Sequence, residues 1–305
     1  MVVTVTLNPC IDRTIKLKSF LYGSMNRMAE SKRDVSGKGI NVSLALNNLG
    51  IENKALGFIF SSSKDCFLSS LENLGLKYKG IEVSGELREN IKIWNEADKT
   101  TTEINQKGSK VEEKDWALFK DLYRKEIDSA ALIVLSGSMP AGLSIDAYKE
   151  LIEIANERDI KVILDAEGDA LLKGLEAGPL LIKPNQYEFE KTFKTGSIRE
   201  NAHKLILENR AENVVVSLGK GGAFIYSSKG SYLAPPVEVD AKSAQGAGDN
   251  MVAGIIKAYL ENKGPDEMLA YGTAAALGSL EVEGTGPTTY DLFASYLDKT
   301  KVLRI

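Results

Sequence analysis

The sequence predicts an α/β protein built on a mostly parallel sheet with helices on both faces. Three observations predict it. From Ala131 onward, apolar runs alternate with helical patterns: ALIVLSG (131–137) precedes Asp146–Ile154, KVILDAEG (161–168) precedes Ala170–Leu175, PLLIKPN (179–185) precedes Glu188–Phe193, and NVVVSLG (213–219) closes the series. These runs are nearly all apolar rather than alternating, which marks strands covered on both sides. Polar or glycine residues (Asn8, Ser138, Asn185, Gly219) follow the strands, at the carboxyl ends where sheets of this kind bind ligands.

The earlier part of the chain fits the same plan. Val2–Leu7 reads as a first strand, and Gly39–Leu49 as a helix closed by Gly50. Ala55–Phe60 is a short apolar strand, and Cys66–Leu74 a helix stopping at Gly75. Two stretches break the rhythm. Asp12–Phe20 (DRTIKLKSF) alternates polar and apolar residues, and Arg88–Asn105 does the same around a turn at Glu96–Lys99. Alternation at period two marks strands with one wet face. Both are expected to be antiparallel strands of a small sheet inserted into the core. No internal repeat or low-complexity segment interrupts the chain.

Composition narrows the function classes. The chain has 305 residues, 43% hydrophobic and 26% charged, with a net charge of −4. That balance argues against a nucleic-acid surface, which needs a basic face. Cys10 and Cys66 are the only cysteines and His203 the only histidine, so neither a disulfide framework nor a histidine-based zinc site is expected. The opening MVVTVTLNP is no signal peptide, and no apolar run reaches membrane-spanning length. A cytoplasmic protein with no membrane partner is the expectation.

Two glycine-rich loops carry the chemistry. Gly246-Ala247-Gly248-Asp249 opens a helix that continues as NMVAGIIKAYL. Glycines there let backbone N–H groups approach an anion, and the helix dipole adds positive potential. A first-turn carboxylate beside such a hole is placed to take a proton from an attacking hydroxyl. The plain alternative is a capped helix start with a dipole-complementing Asp. Gly37-Lys38-Gly39-Ile40-Asn41 opens another helix and suits an anionic or hydroxyl-rich ligand, or is simply a solvated turn. Neither loop is a Walker A or a G-x-G-x-x-G fingerprint.

The pair GKGINV (37–42) and GAGDNMVAG (246–254) resembles the two signatures of the pfkB-type carbohydrate kinases of the ribokinase-like superfamily. The resemblance runs over nearly the whole chain through TLNPCIDRT (6–14), RENIKI (88–93), TEIN (102–105), SGSMPAG (136–142), KPNQYE (183–188) and SLGKGG (217–222). It implies a three-layer αβα core and one kinase domain over 1–305, with a β-sheet lid from about 11–35 and 87–107. Within the family the chain looks most like the branch that converts fructose 1-phosphate to fructose 1,6-bisphosphate, with kinases of tagatose 6-phosphate as neighbours.

The resemblance also implies roles. Asp249 would be the base, and Gly246, Ala247 and Gly248 the anion hole. Asp12, Gly37, Lys38, Asn41 and Ser138 would meet the sugar, and Arg88 with Lys38 would hold the phosphate it already carries. Lys183, Asn185, Glu188, Ser217, Gly219 and Gly222 would border ATP, with Glu188 reaching Mg²⁺ through water. Departures are Ser36 before the first glycine loop, Gln245 before the second, Asn250 where Ser is common, and the Ser61–Ser63 run. Apolar lid residues Ile15, Leu17, Ile91 and Ile93 would need cover, so a homodimer through the lid is expected, with Arg27 reaching the substrate phosphate, of its own chain or of its neighbour's. Two other classes stay open: a non-catalytic sugar-phosphate sensor, which an ATPase-coupled assay separates, and a nucleotide-binding oxidoreductase, which titration with NAD separates.

Overall fold

A computed structural model describes residues 1–305. The chain begins with β1 (Val2–Thr6), β2 (Cys10–Leu17), β3 (Glu30–Ser36), α1 (Lys38–Asn48), β4 (Asn53–Phe60), α2 (Lys64–Asn73), β5 (Tyr78–Val83), β6 (Arg88–Asn95), β7 (Thr100–Asn105) and α3 (Glu113–Glu126). The alternating part follows: β8 (Leu132–Ser136), α4 (Ala147–Asn156), β9 (Val162–Asp165), α5 (Gly168–Gly174), β10 (Leu181–Ile182), α6 (Gln186–Phe193), α7 (Ile198–Leu207) and β11 (Asn213–Ser217). Then come β12 (Ala223–Ser227), β13 (Gly230–Ala234), α8 (Ala247–Leu260), α9 (Pro265–Leu280), α10 (Tyr290–Lys299) and β14 (Leu303–Arg304).

Ten strands form the main sheet in the order β14-β13-β12-β11-β10-β9-β8-β1-β4-β5. Pairing is parallel from β11 to β5 and antiparallel from β11 to β14. Successive side chains of each strand bury on opposite faces. Val3 and Val5 of β1 and Ile133 and Leu135 of β8 pack on the side of α2 to α7, with Trp116, Phe119 and Tyr148. Val2, Leu132 and Val134 pack on the other side, with α1, α8, α9 and α10. The result is three layers. The sheet grows outward both ways from the β1/β8 pair, so the crevice beyond their carboxyl ends is where a ligand is held in this architecture.

The second sheet has four strands, ordered β3-β2-β6-β7. Three differences from the sequence reading appear here. Asp12–Phe20 contributes only β2, ending at Leu17, and the charged segment ESKRDVS forms β3, which its lack of alternation concealed. The central β2/β6 pair is parallel, with Asp12 opposite Asn90, and only the outer pairs are antiparallel. The reason is topological: β2 follows β1 and β6 follows β5, two strands that run parallel in the main sheet, so both leave it at the carboxyl ends. Leu17 is already buried within its own chain, whereas Ile15, Ile91 and Ile93 are half-buried.

In PLLIKPN only Leu181–Ile182 is a full strand, because Pro184 has no N–H for the ladder; a bridge between Asn185 and Ser217 continues the alignment. The polar helix expected around His203 is α7, while the strands β5 and β12 to β14 and the helices α3, α9 and α10 carry no clear sequence signal. No helix is long and apolar enough to cross a membrane.

The closest helix packing supports the chain just after the second glycine loop. A Cβ on Gly254 of α8 would fall on the Tyr271 carbonyl oxygen of α9. Alanine is ordinarily the better helix former by about 1 kcal/mol. Gly254→Ala is nevertheless expected to destabilise the protein by about 1–3 kcal/mol through overpacking, read as a lower urea midpoint at unchanged m-value.

Candidate active site

The N-terminus of α8 lies beyond the sheet's carboxyl ends. Gly246 takes a left-handed conformation (φ 75°), which glycine adopts without strain, and turns the chain into the helix. The N–H groups of Ala247, Gly248 and Asp249 open that helix without intrahelical partners. Asp249 is buried beside them, and its Oδ2 accepts from Asn41 Nδ2 at 2.8 Å. Burial, and then the neighbouring Asp165, push the Asp249 carboxyl up to about 6, against Lys38, Asn41 and Lys183.

Asp165 ends β9 and is fully buried. Its Oδ1 lies 3.3 Å from Lys38 Nζ and 3.6 Å from Lys183 Nζ, and its Oδ2 accepts from Ser136 Oγ at 3.3 Å. Burial alone would raise this carboxyl; the two ammonium groups outweigh it and hold it below the ordinary aspartate range. For Lys38, burial works against the charge, but Asp165, Glu188 and Asp249 keep the ammonium above its usual value. Lys183 Nζ reaches the first turn of α8, 3.1 Å from where a Cβ on Gly248 would stand.

Asn185 and Glu188 form a reciprocal cap at the start of α6. Asn185 Oδ1 accepts from Glu188 N at 2.8 Å, and Glu188 Oε2 accepts from Asn185 N at 2.9 Å. Glu188 Oε1 lies 3.6 Å from Lys38 Nζ. Both Glu188 oxygens are engaged, and no group of three or more His, Cys, Asp or Glu side chains could cage a metal. The chemistry of these residues fits a hard cation that the protein holds only in small part. Ser217, Gly219 and Gly222 lie alongside: Ser217 N donates to Pro184 O at 3.3 Å, and the two glycines flank the turn between β11 and β12.

The small sheet faces this region with a second group. Asp12 Oδ2 accepts from Lys92 Nζ at 2.8 Å and Oδ1 from Asn90 Nδ2 at 3.0 Å. Burial disfavours the Asp12 carboxylate, but Lys92 and Asn90 hold its carboxyl below the ordinary range. Cys10 packs against the same pair, its thiol pushed up to about 12 by burial and by Asp12. Arg88 Nε donates to Asn8 O at 3.2 Å and its guanidinium to Asn90 Oδ1 at 3.0 Å. Asn8 Nδ2 in turn donates to Ser138 Oγ at 3.2 Å. Glu86, Arg88, Gln106, Lys107, Gly108 and Ser109 line a polar cleft of about 290 Å³ with no apolar wall. A separate cleft of about 240 Å³ between Asn213, Ser227, Tyr259 and Lys263 lies at the opposite end of the strands.

Gly37, with φ 145°, is the N-cap of α1 and brings Lys38 and Asn41 inward; a Cβ there would meet Thr6 Cγ2 at 2.7 Å. Thus Asp249, Asn41, Lys38, Lys183, Asn185 and Glu188 come together around Asp165. Lys38 and Arg88, expected to share one phosphate, fall in different groups: the Lys38 ammonium points to Asp165 and Glu188, and Arg88 to the cleft. Arg27 joins neither; it is exposed in the segment between β2 and β3 and makes no hydrogen bond or ion pair within the chain. Sequence reasoning left out Asp165, although it stands at the carboxyl end of β9. It also left out Asn90 and Lys92, which the period-two spacing from Arg88 puts on one face of β6.

The layered core, the small second sheet at the carboxyl ends and the glycine-led helix with its buried carboxylate define a ribokinase-like sugar kinase. The sequence model for the pfkB family carbohydrate kinases matches residues 5–291, and the chain belongs to that family. It is 31% identical to the 1-phosphofructokinase of Bacillus subtilis, with 100% of each chain covered, and 30% identical to the tagatose-6-phosphate kinase of Staphylococcus epidermidis, again with 100% of each covered. The crystal structure of phosphofructokinase-2 from Escherichia coli in complex with potassium superimposes with a TM-score of 0.91 at 27% identity, covering 98% of both chains. A tetrameric inhibited form of that protein has also been solved.

Asp165 is the fully buried anion between buried Lys183 and partly exposed Lys38, and removing it leaves uncompensated charge. Asp165→Ala is expected to cost about 3–5 kcal/mol of stability, measured by denaturant unfolding.

Proposed function

We propose that this kinase transfers the γ-phosphoryl group of ATP to the free primary hydroxyl of fructose 1-phosphate, giving fructose 1,6-bisphosphate. The observation that carries the reading is the pairing of two anion-holding regions. One is the α8 N-terminus with Lys38 and Lys183, suited to a phosphoryl group in transit. The other is the Arg88–Lys107 cleft, suited to a phosphate the acceptor already carries. An unphosphorylated sugar would leave the second without a partner. The kinship with the Bacillus subtilis enzyme supports the same substrate. Tagatose 6-phosphate is the second reading, favoured by the kinship with the Staphylococcus epidermidis enzyme.

In this mechanism the small sheet is a lid over the acceptor, and Asp12, held by Asn90 and Lys92, accepts hydrogen bonds from its hydroxyls. Asp249 takes the proton of the attacking hydroxyl, oriented for it by Asn41. The amides of Ala247, Gly248 and Asp249, with Lys38 and Lys183, stabilise the charge on the migrating phosphoryl. Asn185, Ser217, Gly219 and Gly222 border the nucleotide. Mg²⁺, with Glu188 reaching it through water, supplies neutralisation of the triphosphate charge when bound. Lid closure keeps out water, which would compete with the hydroxyl.

A coupled ADP-release assay over hexose monophosphates and free sugars tests the substrate class. Fructose 1-phosphate should give the highest kcat/KM. Faster turnover of a free sugar than of every hexose phosphate would sink the proposal.

Asp249→Asn should lower kcat by about 10²–10⁴-fold with ATP affinity retained. In the intact enzyme, kcat at saturating substrates should rise with pH through about 6, as the carboxyl loses its proton. The stability contribution has the opposite sign. The folded-state value is raised, so this group's contribution is full below the unfolded aspartate value and is lost as pH rises through about 6. A kcat flat from pH 5 to pH 8 would count against Asp249 as the base.

The lid is also proposed to pair with that of a second chain. Tyr22 and Met25, 98% and 80% exposed, stand between β2 and β3 beside Arg27, and Ile104 of β7 is exposed as well. Such apolar exposure on a small sheet is relieved by a two-fold partner. Light scattering should report a dimer, and Arg27→Ala should weaken sugar-phosphate binding more than ATP binding. A fully active monomer would rule out the shared lid.

A further inference from the structure

One side-chain hydrogen bond joins the lid to the anion hole. Lys92 Nζ, already paired with Asp12, also donates to Gln245 Oε1 at 3.2 Å. Gln245 immediately precedes Gly246, where the chain turns into α8. No other hydrogen bond connects β2, β3, β6 or β7 with residues 240–250. The segment leading to the hole is otherwise anchored by Lys242 N and Ser243 N on Leu280 O, and locally by Gln245 N on Ser243 Oγ. Apart from that local bond, the last residue before the turn is hydrogen-bonded only from the lid side.

We infer that Lys92 is a positioning residue: through Gln245 it fixes the entry of the chain into α8, so that the amides of the anion hole are set in register with the lid over the acceptor. The inference rests on the kinase reading of this site. Arg88, Asn90 and Lys92 occupy one face of β6 at successive period-two positions, each step about 6.6 Å along the strand. Arg88 meets the phosphate cleft, Asn90 meets Asp12, and Lys92 meets Gln245. One rigid strand thereby spans from the acceptor's phosphate end to the transfer end and sets their separation. Lys92 is 8% exposed, and a buried ammonium holds its partners in fixed geometry because losing either leaves a donor unsatisfied. The residue type at 245 fits the task. Gln accepts the hydrogen bond without placing a negative charge beside a hole built for anions, which Glu would do.

The test centres on Gln245→Leu, which cuts the tether and leaves the Lys92–Asp12 pair intact, so that folding is preserved. Hydrogen exchange of the ligand-free protein should quicken in the peptide spanning Ser243–Asn250 and stay unchanged in β6. With the sugar phosphate, kcat should fall about tenfold, the scale of one hydrogen bond to a charged group, while both KM values stay within about twofold. Gln245→Glu keeps the tether and adds charge, so it should retain slow exchange and still lose turnover. Lys92→Arg, which keeps a donor, should hold exchange near wild type. Unchanged exchange in Gln245→Leu would overturn the inference, as would faster exchange with an unaltered kcat. If the wild-type enzyme turns over no hexose phosphate, the functional reading fails by itself, and the exchange experiment still decides whether the tether sets the α8 entry.

Discussion

Asp165 holds the transfer end together. Its carboxylate has no exposure to water and is shared by Lys38, Lys183 and Ser136. Each lysine comes from a different layer position, one at the start of α1 and the other just after β10. Without the anion between them, two ammonium groups would repel within a poorly solvated space. Asp165 also reaches beyond its ion pairs, because its charge is the second cause that lifts Asp249. The same carboxylate therefore keeps two cations in place and raises a third group's affinity for a proton.

Taken with Asp249 and Glu188, the cluster is not strongly positive, since two lysines face three carboxylates. Its attraction for anions comes from backbone. The starts of α1, α6 and α8 converge here, as the Asn41–Asp249 and Lys38–Glu188 contacts require. Helix starts present oriented N–H groups whose partial charges need no protonation and no counter-ion. Lys38 and Lys183 add direction to a field that the helices already supply. The acceptor side works differently, through side chains carried on strands, with Asp12 and Lys92 paired across the parallel β2/β6 register.

Much of this was legible in the sequence because it depends on local rules. Apolar runs separated by helical patterns pointed to the parallel sheet, and the glycine loops pointed to the starts of α1 and α8, where Asp249 is buried. What stayed hidden depends on long-range pairing. The segment ESKRDVS carries no apolar alternation and becomes a strand only because β2 lies beside it. The parallel β2/β6 pairing follows from where two distant strands leave the main sheet. Asp165 reads as an ordinary strand end until Lys38 and Lys183, far apart in sequence, close on it. Gln245 stood out as an unusual residue before GAGD, but its partner Lys92 could be found only in three dimensions.

The tight contact of α8 with α9 at Gly254 limits which residue sizes this part of the chain accepts. Buried positions follow one another along α8 from Asp249 to Ile256, and a backbone carbonyl stands where a larger side chain at Gly254 would go. That half of the molecule tolerates little change in residue size. The outer strand β7, by contrast, is exposed at all six positions. A change of residue size is therefore expected to cost far less stability on β7 than along α8.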